Sequence, residues 1–290
     1  VIGILQVLSK IKIADILVDS IPFIREFRDS VIIIKYGGAA QQNLELKEKF
    51  APDIILLYML GIKPVIVHGG GPKITQILEI LNIDNKFIDG IRVTSKEAMK
   101  VVEMVLSGDI NKELTFFFNH HGVKAVGISG KDSMLLKAKP KDFKVFGYTG
   151  EIEKVNINIL QKLLDDGFVP IVAPIASGDD IKHPGFNINA DSVACEIAKA
   201  IKANKVIFLT DTKGVLDCNG ELISTIVPND AEKYKNDGVI TGGMIPKIDA
   251  CVSCVKNGVK KVHIIDGRIP HSILLELFTT NGIGTQIILE

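Results

Sequence analysis

Two glycine runs are placed where a backbone can approach an anion closely. Gly37-Gly38 follows Lys35-Tyr36, and Gly69-Gly70-Gly71 follows Val67-His68. Each comes after a short β-branched stretch and before a helical pattern. A strand end, a turn without side chains and a helix N-terminus together present unpaired N–H groups and the positive end of a helix dipole. Glycines in a tight turn can also serve backbone geometry alone; two such loops, with Lys35 on one strand end, argue for phosphate or carboxylate binding. The usual nucleotide motifs are missing: there is no G-x-x-x-x-G-K-S/T, no G-x-G-x-x-G after a strand, and no serine in a G-x-S-x-G elbow. The chemistry left open is one of cations and positioning. A carboxylate acceptor is already ionised at neutral pH and needs no general base. Phosphoryl transfer to it can rest on ammonium groups that offset charge on the transferring group. Lys35 and Lys247 suit that task, and Asp191 can hold both ammonium groups in place.

The elements that must position these groups alternate in type. Apolar runs at 31–34, 65–67, 125–128, 169–173, 206–209 and 262–265 read as strands, with helical stretches of ten or more residues between most of them. Continuous apolar strands alternating with helices predict a parallel sheet covered on both faces, with ligands beyond the carboxyl ends of the strands. Asp89-Gly90 and Asn219-Gly220 are two-residue hairpin signals, and the alternation at 143–155 predicts a further hairpin. A lobe boundary is placed near residue 176. Residues 4–28 read as an amphipathic helix outside the sheet, broken or kinked near Pro22.

Lys plus Arg and Asp plus Glu number 34 each, so the chain lacks the basic footprint of a nucleic-acid binder. The apolar run 54–62 is too short to span a membrane and is flanked by Asp53 and Lys63. Lys10, Lys12, Asp15 and Asp19 interrupt the N-terminal apolar residues, unlike a signal peptide. A cytoplasmic protein with reduced cysteines is expected. Cys251-x-x-Cys254 has no second pair to complete a zinc set and falls in a helical pattern, so it reads as packing. His68 reads as structural, bonded to a neighbouring loop; His120 and His121 beside Gly122 read as a helix end.

Seven segments, in order, resemble the amino-acid kinase family, and within it the members that act on N-acetylglutamate. They are residues 34–40 (IKYGGAA), 67–72 (VHGGGP), 87–94 (FIDGIRVT), 147–152 (GYTGEI), 187–191 (NINAD), 209–215 (LTDTKGV) and 242–247 (GGMIPK). The glycine loops and the Thr-Asp element fit many family members; the hairpin with Arg92, the Asn187-Asn189-Asp191 set and Met244 to Lys247 point to this activity. The resemblance covers about Ala14 to the C-terminus. It implies an open αβα sandwich with a mainly parallel central sheet plus an N-terminal helical extension (1–29). An N-terminal lobe (30–176) would bind N-acetylglutamate and dimerise, and a C-terminal lobe (177–290) would bind ATP. The implied reaction is ATP-dependent phosphorylation of the side-chain carboxylate of N-acetyl-L-glutamate.

The roles implied by the resemblance fall on matching positions. Lys35 and Lys247 would stabilise the transition state, with Asp191 orienting them. Gly70 and Gly71 would bind substrate through backbone amides. Arg92 would pair with the substrate α-carboxylate, where a guanidinium fork fits, and Asn187 and Asn189 would contact the acetylamino acid. Read on residues alone, Arg92 is equally a surface hairpin residue and Asn187 a turn cap. Gly37, Gly38, Asp211, Thr212, Lys213, Gly214, Val215, Leu216, Val239, Ile240 and Thr241 would serve the nucleotide. Mg2+ would be held mainly by ATP phosphates and water, with no dedicated protein metal site. Arginine is expected as an allosteric inhibitor between the 4–28 helix and a C-terminal segment with Glu276 and Gly282-Ile283-Gly284-Thr285. A homohexamer built as a trimer of dimers is expected to interlace through that helix. Gln41 departs from the apolar residue common after the first glycine loop, and 177–186 is short. The rival readings are a carbamate, aspartate, glutamate or UMP kinase, or a non-catalytic arginine sensor.

Overall fold

The computed structural model describes residue 11 and residues 14–289. Its strands in chain order are β1 (Val31–Tyr36), β2 (Lys63–His68), β3 (Lys86–Ile88), β4 (Ile91–Val93), β5 (Ala125–Ser129), β6 (Leu136–Pro140) and β7 (Gly150–Val155), followed by β8 (Val169–Ala173), β9 (Ile175–Ala176), β10 (Phe186–Asn187), β11 (Lys205–Thr210), β12 (Thr225–Ile226), β13 (Lys261–Asp266) and β14 (Thr285–Ile287). Eight of them form one sheet in the order β12-β14-β13-β11-β1-β2-β8-β5. Its pairs from β13 through β5 are parallel, whereas β14 runs antiparallel to β13.

The continuous apolar runs have a physical cause in this sheet. Ile32, Ile33 and Ile34 are all fully buried. Ile32 and Ile34 join one core cluster and Ile33 the other, because successive side chains of a strand face opposite sides. Both faces are covered by helices, so neither set can be polar. Burying each isoleucine stabilises the fold by roughly 1.5–3 kcal/mol. From β1 the chain moves outward to β2, then returns on β1's other side as β11. The ends of β1, β2 and β11 therefore open onto the crevice at a topological switch point.

The Asp89-Gly90 hairpin forms as β3–β4, and Leu216 bridges Leu222 around Asn219-Gly220. The hairpin predicted at 143–155 is different in detail. Strand β7 pairs instead with β6, and Phe143–Phe146 is a helical turn. Asp142 caps that turn, accepting from the N–H groups of Lys144 and Val145. Gly147 then ends it at a positive φ of 59°.

Residues 14–19 and Ile21–Phe27 are helical. Pro22 supplies no N–H to continue the ladder, although Ile24 N–H still reaches the Ser20 carbonyl at 3.0 Å. Phe27 is buried edge-on to Phe278, while Ile16, Leu17 and Val18 are 61–64 % exposed. Residues 4–10, 12 and 13 of the predicted helix lie outside the described residues. No helix among the described residues is long and apolar enough to cross a membrane.

Candidate active site

Lys35 is the penultimate residue of β1. Asp191 lies in the first turn of the helix Ala190–Ile201 and Lys247 in the first turn of the helix Met244–Lys256. Asn189 caps the Asp191 helix, its Oδ1 accepting from the N–H groups of Asp191 at 2.8 Å and Ser192 at 3.3 Å. This satisfies orphan donors and fixes where the helix begins. Lys35 Nζ lies 3.2 Å from Asp191 Oδ1, and Lys247 Nζ donates to Asp191 Oδ2. The three side chains are only 14–20 % exposed. Burial pushes the Asp191 carboxyl up, but the two ammonium groups outweigh it and hold the group below its ordinary range. One carboxylate between two ammonium groups leaves a net positive charge at the strand ends.

The helices carrying Asp191 and Lys247 pack through small side chains. Cys195, Cys251 and Cys254 are buried free thiols between them, and Cys195 Sγ donates to the Ala250 carbonyl at 3.5 Å. The C-x-x-C pair thus packs in the core between the two helices that carry Asp191 and Lys247.

The first glycine loop closes against both sides of the crevice. A Cβ on Gly37 would lie 3.0 Å from Lys35 Nζ. Gly38 has a φ of +63°, and a Cβ there would fall 2.6 Å from Asp211 Oδ1. The second loop is backed by a π-helical segment, Met104–Ile110. A Cβ on Gly70 would come within 2.6 Å of Leu106 and Ile110, so only glycine lets this backbone lie there. Gly71 opens the helix Gly71–Ile80.

Arg92 is brought to that helix start. Its Nη2 donates to the Gly71 carbonyl and to Thr75 Oγ1, both at 3.0 Å, and its Nη1 donates to Asn85. Its guanidinium sits 4.6 Å from the centre of the Phe87 ring. Although on a hairpin, it is 7 % exposed, which disfavours the surface-residue reading. Asn187 Nδ2 reaches Thr94 Oγ1 at 3.2 Å. Thr94 Oγ1 lies 2.8 Å from Thr149 Oγ1, and Thr149 in turn donates to the Arg92 carbonyl at 2.6 Å, so Arg92 and Asn187 belong to one network.

Across the crevice, Asp211, Thr212, Lys213, Leu216 and Thr241 are exposed, and Val239 is partly so. Gly214 is buried. Val215 and Ile240, predicted nucleotide contacts, are core side chains at 2 % and 1 % exposure, and the Val215 N–H donates to Thr285 Oγ1 at 2.8 Å. They hold the loop's shape from behind. Sequence reasoning passed over Asp266 and Arg268, joined at the end of β13 by Nε–Oδ1 and Nη2–Oδ2 contacts of 2.9 and 2.8 Å. The rule that ligands meet strand ends flags that position.

Beyond an open parallel sheet, two glycine loops and a shared Lys–Asp–Lys cluster define a class. The profile of the amino acid kinase family matches residues 30–266, and the chain belongs to that family. Among its curated relatives is the acetylglutamate kinase of Wolinella succinogenes, 65% identical over 277 residues, 96% of this chain and 98% of that one. The acetylglutamate kinase of Helicobacter hepaticus is 63% identical over 272 residues, covering 94% and 97%. Of solved structures, N-acetylglutamate synthase from Neisseria gonorrhoeae, complexed with coenzyme A and N-acetyl-glutamate, superposes with a TM-score of 0.85 at 25% identity over 96% of this chain and 63% of that one. Carbamate kinase from Giardia lamblia bound to AMP-PNP shares the fold, with a TM-score of 0.67 at 16% identity over 90% and 99% of the chains.

Proposed function

We propose that this chain transfers the γ-phosphoryl group of ATP to the side-chain carboxylate of N-acetyl-L-glutamate, giving N-acetyl-L-glutamyl 5-phosphate for arginine synthesis. The Lys35–Asp191–Lys247 cluster carries the reading. Its two ammonium groups converge on one shared carboxylate at the strand ends, where they would offset charge on a phosphoryl group in transit. Such fixed charge acts without reorganisation at the moment of transfer. Arg92 and Asn187 would hold the acetylamino acid through its α-carboxylate and amide. Gly37, Gly38 and the exposed 211–213 segment would face the triphosphate. Asp191 is already matched by two ammonium groups, so a Mg2+ ion here would take its ligands from the nucleotide and water and would offset phosphate charge. The 65% identity to an acetylglutamate kinase over nearly the whole chain supports the acceptor. ADP release with N-acetylglutamate, and not with glutamate, aspartate, carbamate or UMP, is the expected result. Release with one of those acceptors instead would move the assignment within the family.

Arginine would act as feedback inhibitor from a cavity of about 280 Å³ bounded by Phe23, Glu26, Lys205, His263, Glu276 and Gly282. His263 Nδ1 meets Glu276 Oε1 at 2.5 Å, and Glu276 Oε2 accepts the N–H groups of Ile283 and Gly284. Carboxylates there suit a guanidinium and lysine suits a carboxylate. N-acetylglutamate synthase from Neisseria gonorrhoeae has been solved with L-arginine, at 25% identity and a TM-score of 0.80. The exposed Ile16, Leu17 and Val18 would pair with the same helix of a second copy in a cytoplasmic hexamer. A flat activity curve in millimolar arginine would contradict the first part, and a dimer mass by light scattering the second.

A further inference from the structure

The Gly69–Gly70 peptide is held from one side by two side chains, His68 and Gln41, and His68 is itself held by a third, Asn111. Asn111 is fully buried. Its Nδ2 donates one hydrogen to the carbonyl of Ile171 at 2.8 Å and has the carbonyl of Ile128 at 3.3 Å beside its second, while its Oδ1 accepts from Lys112 Nζ at 3.2 Å. These partners fix which end of the amide is which: the end facing carbonyls must be the NH₂ group. That same nitrogen lies 3.2 Å from His68 Nε2, so Nε2 is the acceptor and the ring proton sits on Nδ1. Nδ1–H then donates to the Gly69 carbonyl at 2.9 Å. His68 is neutral, because complete burial drives its pKa down to about 4. Gln41, from just beyond the first glycine loop, donates Nε2–H to the same carbonyl at 3.1 Å.

A trans peptide is planar, with its C=O and N–H pointing in opposite directions. Pinning the Gly69 carbonyl therefore aims the N–H of Gly70 the other way. We propose that Asn111, His68 and Gln41 are positioning residues that clamp the Gly69 carbonyl and so direct the Gly70 N–H at the acceptor. This rests on the reading above that the Gly70 amide binds substrate. Glycine at 69 and 70 leaves this peptide otherwise free to turn, so the clamp sets the donor's direction. Gln41 also links the two glycine loops, which makes their relative placement depend on one amide.

The test compares variants that keep or lose the donor. His68→Asn retains an NH₂ where Nδ1 stood; His68→Gln moves it to the ε position; Gln41→Met, at a half-buried site, removes the second donor at similar volume. His68→Gln and Gln41→Met are expected to raise KM for N-acetylglutamate about three- to tenfold each, with KM for ATP unchanged and His68→Asn nearer wild type. Nitrogen-15 NMR of the histidine ring should show the proton on Nδ1 near neutral pH. Arg92→Lys, measured alongside, separates two failures. If it raises KM for N-acetylglutamate while Gln41→Met and His68→Gln do not, the clamp is overturned and the substrate assignment stands. If none of the variants alters KM for N-acetylglutamate, the assignment itself fails and takes the clamp with it; an Nε2-protonated ring overturns the clamp on its own.

Discussion

Lys35 and Lys247, on β1 and on a helix late in the chain, share the two oxygens of one buried carboxylate, Asp191. The carboxylate offsets the repulsion between the two cations that it holds. The arrangement stores two cations at the strand ends in positions set by three separate elements.

Removing one cation should therefore damage turnover more than binding. Lys247→Ala is expected to lower kcat by roughly 10²–10³-fold, as loss of a transition-state donor does. KM for N-acetylglutamate should change little. Steady-state kinetics with both substrates varied checks this; an unchanged kcat would remove Lys247 from the mechanism.

Asn189→Ala tests the cap under Asp191. Losing the side-chain acceptor for two N–H groups should cost about 1 kcal/mol of stability. It should also depress kcat, since the first helical turn carries Asp191. Urea melts and kcat measured on the same preparation distinguish a cap from a direct substrate contact, which would move KM instead.

Gly38 cannot be given a side chain cheaply. Its φ of +63° and the 2.6 Å that would separate an added methyl carbon from Asp211 Oδ1 act together. Gly38→Ala should destabilise the fold by about 1 kcal/mol or more and raise KM for ATP. Wild-type KM for ATP in this variant would detach the loop from the nucleotide.

His68 makes stability pH-dependent in a predictable direction. Its folded pKa is about 4 against an ordinary value of 6.5. The unfolded chain therefore binds a proton first as pH falls. The contribution is complete above about pH 6.5 and is lost progressively down to about pH 4, amounting to roughly 3 kcal/mol. Asp53 works the other way, since burial, only partly offset by its bond to His271, raises its pKa to about 6. The check is therefore the wild-type slope of unfolding free energy minus that of His68→Asn. A zero difference between pH 4 and 6.5 would contradict the neutral buried ring.

The sheet was legible because strands buried on both faces must be apolar at every position, as in Val31 to Ile34. The β3–β4 hairpin was legible from Asp89-Gly90, a turn that needs positive φ at both residues. The 143–155 alternation misled because Asp142 captures nearby N–H groups and starts a helical turn, a local competition that periodicity does not register. The glycine loops and Lys35 were visible from spacing. Their meeting with Asp191 and Lys247 was suggested by residue type and supported by the resemblance, but no spacing dictates it, since three distant segments contribute. Asn111 was invisible: its partners His68, Ile128 and Ile171 lie on three strands. The burial of Val215 and Ile240 also depends on packing that a loop motif does not display.

Formation of an acyl phosphate is the central claim, and hydroxylamine traps that product directly. With ATP, Mg2+ and N-acetyl-L-glutamate, the wild-type chain should give a hydroxamate that is absent with ADP in place of ATP and sharply reduced in Lys247→Ala. Titrated arginine should suppress it. No hydroxamate from N-acetylglutamate, with nucleotide binding intact, would contradict the assignment of this carboxylate as the acceptor.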